Sequence, residues 1–147
     1  MPLNIGDAVP PIQVPAYTPG RRNARITGPA DHRGRWVVLA FQPRTEAVRA
    51  FWLDALAALA GEYTSEAPVI LAASTATWLE QAARHVDDRS LEGRVAHILA
   101  DGQQRLAAAC GVLQEDGDCR PAAIVIDPAG RVRHVSTGAR QPLARAA

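Results

Sequence analysis

"WVVLAFQPRTEAVRAFWL", residues 36–53, passes from an almost unbroken apolar run into a short polar stretch and then into a segment with apolar residues at helical spacing. An apolar run without alternation is what a strand covered on both faces requires. Beyond it, Val48, Phe51, Trp52, Leu56 and Leu59 recur at helical intervals as far as Gly61, with Thr45 placed as an N-cap and Glu46 in the first turn. The pattern predicts a strand over 36–41 and a helix over 46–61. A strand running into a helix start is a place where reactive groups are often exposed, yet residues 41–53 contain no Cys, Ser or His.

Outward from this stretch, strands and helices alternate. "PVILAAS" (68–74) reads as a second buried strand, and "TATWLEQAARHV" (75–86) as a helix by its Trp78, Leu79, Ala82, Ala83 and Val86 spacing. "RVAHILAD" (94–101) is a weaker strand, and "GQQRLAAACGVL" (102–113) a short helix stopped at Gly111. "PAAIVID" and "RVRHVS" are strands joined by "DPAG", whose Pro and Gly suit a turn, so they form a hairpin. The order predicts an α/β fold: a mainly parallel sheet with helices on both faces and a C-terminal β-hairpin.

At 147 residues the chain is read as one domain over 1–147. Hydrophobic residues make up 48% and charged residues 21%, ordinary values for a globular protein. A net charge of +1 gives no reason to expect nucleic acid or an anionic membrane as partner, and the absence of Lys among 16 basic residues is read as base composition. The start "MPLNIGDAVPP" has no secretory pattern and no apolar stretch approaches the length of a bilayer span, so a cytoplasmic location and no membrane association are expected. Two cysteines, Cys110 and Cys119, do not make a disulfide framework.

Five segments in series resemble the alkyl hydroperoxide reductase/thiol-specific antioxidant group of peroxiredoxins, a branch of the thioredoxin fold. They are "IGDAVPPIQVPAY", "DHRGRWVVLAFQP", "VILAAST", "HILADGQQRLAAACGVL" and "PAAIVIDPAGRVRHV", together covering about residues 4–138. The resemblance implies a thioredoxin-like, peroxiredoxin-type mixed sheet and the activity of an antioxidant oxidoreductase, a thiol peroxidase. It also implies a peroxidatic cysteine in the first turn of the helix after the "F-x-P" strand end. There the thiolate is the nucleophile, and a helix N-terminus with a nearby Arg lowers the thiol pKa. Aligned by its apolar residues, the helix puts that position at Arg49, or at Ala50 if the loop is counted from Pro43. Neither is Cys, so the family's peroxide reduction is not expected of this stretch.

The region around the vacated position comprises Pro43, Arg44, Thr45, Arg49, Ala50, Arg120 and Pro121. Thr45 reads as an N-cap or as a hydroxyl left from a catalytic set. Arg44 and Arg49 either point into solvent or attract an anionic ligand with the free helix-start N–H groups. "CRPAAIVID" resembles the thioredoxin-fold segment in which a cis-proline precedes a buried strand, which implies a cis Arg120–Pro121 bond and places Cys119 beside the vacated site. Cys119 is then either a relocated catalytic thiol, its pKa lowered by Arg120 or Arg49, or an inert loop residue; Cys110 reads as core. His32, His85, His97 and His134 show no ligand spacing, so neither a metal nor a cofactor is expected. Trp36, Trp52 and Trp78 read as packing residues, and "GARQPLARAA" carries no resolving cysteine.

Two functions remain on these residues. One is a catalytically degenerate binding or regulatory module, taking a small-molecule or protein ligand at the vacated site and pairing as a homodimer. The other is a peroxidase working through Cys119.

Overall fold

A computed structural model describes residues 3–21 and 24–137. Its strands are β1 (Val14–Tyr17), β2 (Arg25–Thr27), β3 (Val37–Phe41), β4 (Val69–Ser74), β5 (His97–Ala100), β6 (Ala122–Ile126) and β7 (Val132–Thr137). The helices are α1 (Ala50–Ala60), α2 (Trp78–His85) and α3 (Arg105–Ala109). All seven strands join one sheet in the order β2-β1-β5-β4-β3-β6-β7. Strand β3 runs parallel to β4, with Leu39 opposite Leu71, and antiparallel to β6, with Leu39 opposite Ile124. The two apolar runs that carry the fold assignment are therefore neighbours.

Both faces of β3 are buried, as its unbroken apolar sequence requires. Leu39 and Phe41 look to the side covered by Leu106 and Ala107 of α3, with Leu71, Leu99 and Ile124 beside them. Val38 and Ala40 look to the other side, where Trp52, Leu53 and Leu56 of α1 pack, with Trp78 and Ala82 of α2 against the same layer. Alternation along each strand thus builds two apolar layers, and α1 and α2 share one face while α3 takes the other.

The hairpin forms as expected: β6 pairs antiparallel with β7, and its turn closes through the Gly130 N–H to the Asp127 carbonyl at 2.9 Å with Gly130 at φ 81°. Gly111 adopts φ 74° directly after Cys110, which ends α3 where the sequence predicts. Gln104, in front of α3, offers no side-chain cap; instead the Asp101 carboxylate accepts from the N–H groups of Leu106 at 3.1 Å and Ala107 at 2.7 Å.

Four expectations need correction. The sheet is mixed and not mainly parallel: β3–β4 and β4–β5 are parallel, while β1–β2, β1–β5, β3–β6 and β6–β7 are antiparallel. Strands β1 and β2 extend the sheet beyond β5 without having been anticipated as strands; β2 has three residues and exposes Ile26, so it carries almost no apolar alternation. Helix α1 begins at Ala50 instead of residue 46. Helix α2 is rotated relative to its apolar spacing: Leu79 is 73% and Val86 66% exposed, while Gln81 and His85 are buried. Among the described residues, no helix is long and apolar enough to cross a membrane. The stretch "GARQPLARAA" lies outside the described residues.

Candidate functional site

Strand β3 hands over to the candidate site at Gln42, whose N–H still bonds the Ala73 carbonyl of β4 at 3.0 Å. Pro43 to Glu46 then make a turn, with the Glu46 N–H on the Pro43 carbonyl at 3.0 Å. Thr45 is exposed in this turn and caps nothing; the N-cap of α1 is Arg49, in extended conformation and without a side-chain cap. The late start has a physical cause. A helix running from residue 46 would need the Glu46 carbonyl as an acceptor for its own backbone, but that oxygen takes the Gln42 side-chain amide at 3.1 Å and the Arg84 guanidinium at 3.3 Å. The Val48 N–H is drawn sideways onto the ring of His85 at 2.9 Å, and the Val48 side chain is buried.

Helix α2 and the 116–119 turn hold this segment from two sides. The Arg44 guanidinium donates to both carboxylate oxygens of Glu80, at 3.1 and 3.3 Å, and the Arg44 N–H donates to the Asp118 carboxylate at 2.9 Å. The Glu80 carboxyl is held below the ordinary range, first by the Thr77 backbone N–H and then by Arg44. Arg44 is therefore paired instead of being a free cation, whereas the exposed Arg49 has no side-chain partner among the described residues. Ala50, one of the two positions assigned to the missing cysteine, is the first residue of α1, and Arg49 immediately precedes it.

Cys119 lies directly behind this segment. Its thiol donates to the Gln42 carbonyl at 2.9 Å, and the side chain is 1% exposed. Burial, with help from the neighbouring Asp118 carboxylate, pushes the thiol pKa up to about 12. The expected lowering by Arg120 or Arg49 does not occur: Arg120 points outward, its N–H on the Val112 carbonyl at 2.7 Å, and removal from water dominates. The Arg120–Pro121 bond is trans, contrary to expectation, since no cis peptide occurs among the described residues. The contacts of Asp118 with Arg44 and of Cys119 with Gln42, and not a cis turn, therefore bring Cys119 beside the 43–46 turn. Cys110 caps the end of α3 at 3% exposure, as a core residue should, and burial pushes its pKa up to about 12 as well.

A family model described as the AhpC/TSA family matches residues 5–135. The chain belongs to the AhpC/TSA family. Solved structures agree in fold. Mycobacterium tuberculosis AhpC superposes with a TM-score of 0.74 at 23% identity, covering 93% of this chain and 88% of that one. Mycobacterium bovis AhpC gives 0.73 at 22% identity, over 96% and 85%. Enterococcus faecalis AhpC gives 0.71 at 22%, over 93% and 81%. No curated protein matches the chain.

Within this AhpC/TSA-family fold two contacts join the sequence-derived candidates: the Arg44 N–H on the Asp118 carboxylate beside Cys119, and the Cys119 thiol on the Gln42 carbonyl in front of Pro43, whereas Arg120 is exposed and bonds Val112 through its backbone. What sequence reasoning missed is the other wall, made by Glu80, Arg84 and His85 of α2 together with Asp118. The available signal was the i, i+4 pair Gln81 and His85, polar residues on one helix face; an apolar-spacing criterion passes over them.

Proposed function

We propose that this AhpC/TSA-family chain is a peroxiredoxin-fold binding or regulatory module that does not reduce peroxides. The observation that carries the reading is the placement of sulfur. The start of α1 carries Arg49 and Ala50, and both thiols of the chain are buried with pKa values near 12. Attack on an O–O bond needs a thiolate where helix-start N–H groups can stabilise the developing charge. Neither cysteine meets that requirement.

A ligand would meet Arg49 and the uncapped start of α1, the exposed side of the segment. As a further part of the proposal, the module acts in the cytoplasm, where its two free thiols stay reduced, and pairs as a homodimer through the β7 edge or the face around the α1 start. The reading with Cys119 as a relocated catalytic thiol rests on its position behind Gln42, but burial and the bond to the Gln42 carbonyl both favour the protonated, unreactive form.

Peroxide consumption by the purified protein with a generic thiol reductant tests the proposal. The expected result is a rate indistinguishable from the Cys110→Ser/Cys119→Ser double variant. Turnover that disappears in Cys119→Ser alone would replace the proposal by the peroxidase reading.

A further inference from the structure

We propose that His85 is a proton-operated latch on the 43–49 segment: its neutral ring holds Val48 against α2, and protonation releases the segment.

The geometry assigns the ring's protons. The Val48 N–H can only donate, so Nε2 of His85, 2.9 Å away, must be the unprotonated acceptor. Nδ1 lies 2.9 Å from the Gln81 carbonyl, which can only accept, so Nδ1 carries the hydrogen. One neutral tautomer satisfies both contacts. A second proton on Nε2 would set a donor against the Val48 N–H and leave a cation in a side chain that is 1% exposed. The shortest relief is for the segment to move away and admit water.

Burial is the largest influence on the ring and the others oppose one another. On α2 itself, the Gln81 carbonyl favours the cation and Arg84 disfavours it, while Asp88 beyond the helix end favours it. From β1, the Tyr17 ring stacks at a centroid distance of 6.4 Å; burial raises its phenol pKa, so it is neutral throughout the range in question. From the segment side the ring meets the Val48 amide, and Arg44 and Glu80 are engaged with each other. Burial holds His85 below the ordinary histidine range, which puts the release in mildly acidic solution and leaves the latch closed at neutral pH. Among the other fastenings, the Arg44–Glu80 pair is exposed, with 45% and 38% side-chain accessibility, and such pairs contribute little. The Arg44 N–H on the Asp118 carboxylate and the Arg84 and Gln42 contacts to the Glu46 carbonyl do not depend on the His85 proton, so the release is local to Val48 and the residues beside it.

Hydrogen exchange of the full chain, followed by mass spectrometry and corrected for intrinsic rates, tests this at about pH 7.5 and about pH 5, either side of an ordinary histidine pKa. Peptides spanning 43–53 should lose about tenfold in protection at the lower pH while peptides from β3 and β6 do not, the change expected when an opening equilibrium shifts by one decade. In His85→Gln, whose carboxamide oxygen can still accept from Val48 without titrating, the loss should vanish. Equal protection of the wild-type segment at both pH values, or the same loss in His85→Gln, would overturn the proposal. Should that variant not fold, ¹⁵N spectra of the wild-type ring decide: protonation of Nε2 must follow the same titration curve as the Val48 amide exchange, and a titration that leaves Val48 unaffected refutes the latch.

Discussion

The Cys119 thiol donates to the Gln42 carbonyl at 2.9 Å, which joins the segment after residue 118 to the residue that follows β3 and precedes the 43–46 turn. The contact keeps a hydrogen on the sulfur and uses a carbonyl that no strand partner claims. Several consequences can be measured.

Thiol reactivity is the first. In the native protein at about pH 8, both Cys110 and Cys119 should react with iodoacetamide slower than a free thiol by about two orders of magnitude or more, because pKa values near 12 leave little thiolate and burial blocks access. Both should label fully in denaturant. Fast native labelling of Cys119, located by peptide mapping, would contradict the buried, hydrogen-bonded thiol.

An engineered sulfur at the helix start should behave differently. Ala50→Cys places a thiol on the first residue of α1, where the N-terminal N–H groups favour an anion, at a position that is partly exposed. Its alkylation rate should exceed those of both native cysteines, and its pKa, read from the rate against pH, should fall below about 8.5. A value above that would mean that the paired Glu80 carboxylate or the segment packing cancels the helix-start field.

Helix capping separates the two threonines. Thr77 accepts from the Glu80 N–H at 3.2 Å while the Glu80 carboxylate accepts from the Thr77 N–H at 3.0 Å, a reciprocal cap on α2. Thr77→Ala should lower the unfolding free energy by about 1 kcal/mol in urea titrations. Thr45→Ala, in an exposed turn, should stay within about 0.5 kcal/mol of wild type. Equal losses at both positions would restore Thr45 as a cap.

Stability should fall on acidification from neutral pH. Burial lowers the pKa of His32, His85 and His97, so each binds its proton less readily folded than unfolded. Their contribution is intact above the unfolded value of about 6.5 and is lost as pH drops from there through the folded values. Asp31 and Glu80, held low by their hydrogen bonds, add a further loss in the carboxylate range. Asp101, raised by burial, has the opposite sign: it favours the folded state below the unfolded carboxylate value and loses that advantage as pH rises through its folded value. Urea midpoints should therefore decline steadily from about pH 7 to pH 5, a decline that His85→Gln reduces. A flat profile across that interval would contradict a neutral buried His85 and neutral half-buried His32 and His97.

How much of this was legible beforehand depends on the element. Strands β3, β4 and β6 are buried on both faces, so their apolar runs were legible as strands, and the parallel pairing of β3 with β4 follows from connection rules, whereas the antiparallel place of β6 beside β3 does not. Helix α1 was legible for a similar reason, from its apolar spacing, and Arg49 and Ala50 at its start carry no sulfur. Strands β1 and β2 were not, because Val14–Tyr17 contains a proline and Arg25–Thr27 is too short for a pattern; they exist by pairing with each other and with β5.

What the sequence by itself determined is the central strands, the hairpin, the helix positions to within a few residues, and the absence of sulfur at the start of α1, because these follow from local periodicity, turn chemistry and residue identity. Only the tertiary structure decided where α1 begins, which face α2 buries and how deeply Cys119 is buried. Helix α1 starts at Ala50 because two side chains distant in sequence, Arg84 and His85, capture the Glu46 carbonyl and the Val48 N–H. Helix α2 turns Gln81 and His85 inward because Ser74 and Val48 wait there with hydrogen-bonding groups, at the cost of exposing Leu79 and Val86. The Cys119 pKa is raised first by burial and then by the adjacent Asp118 carboxylate, so the packed environment outweighs the residues beside it.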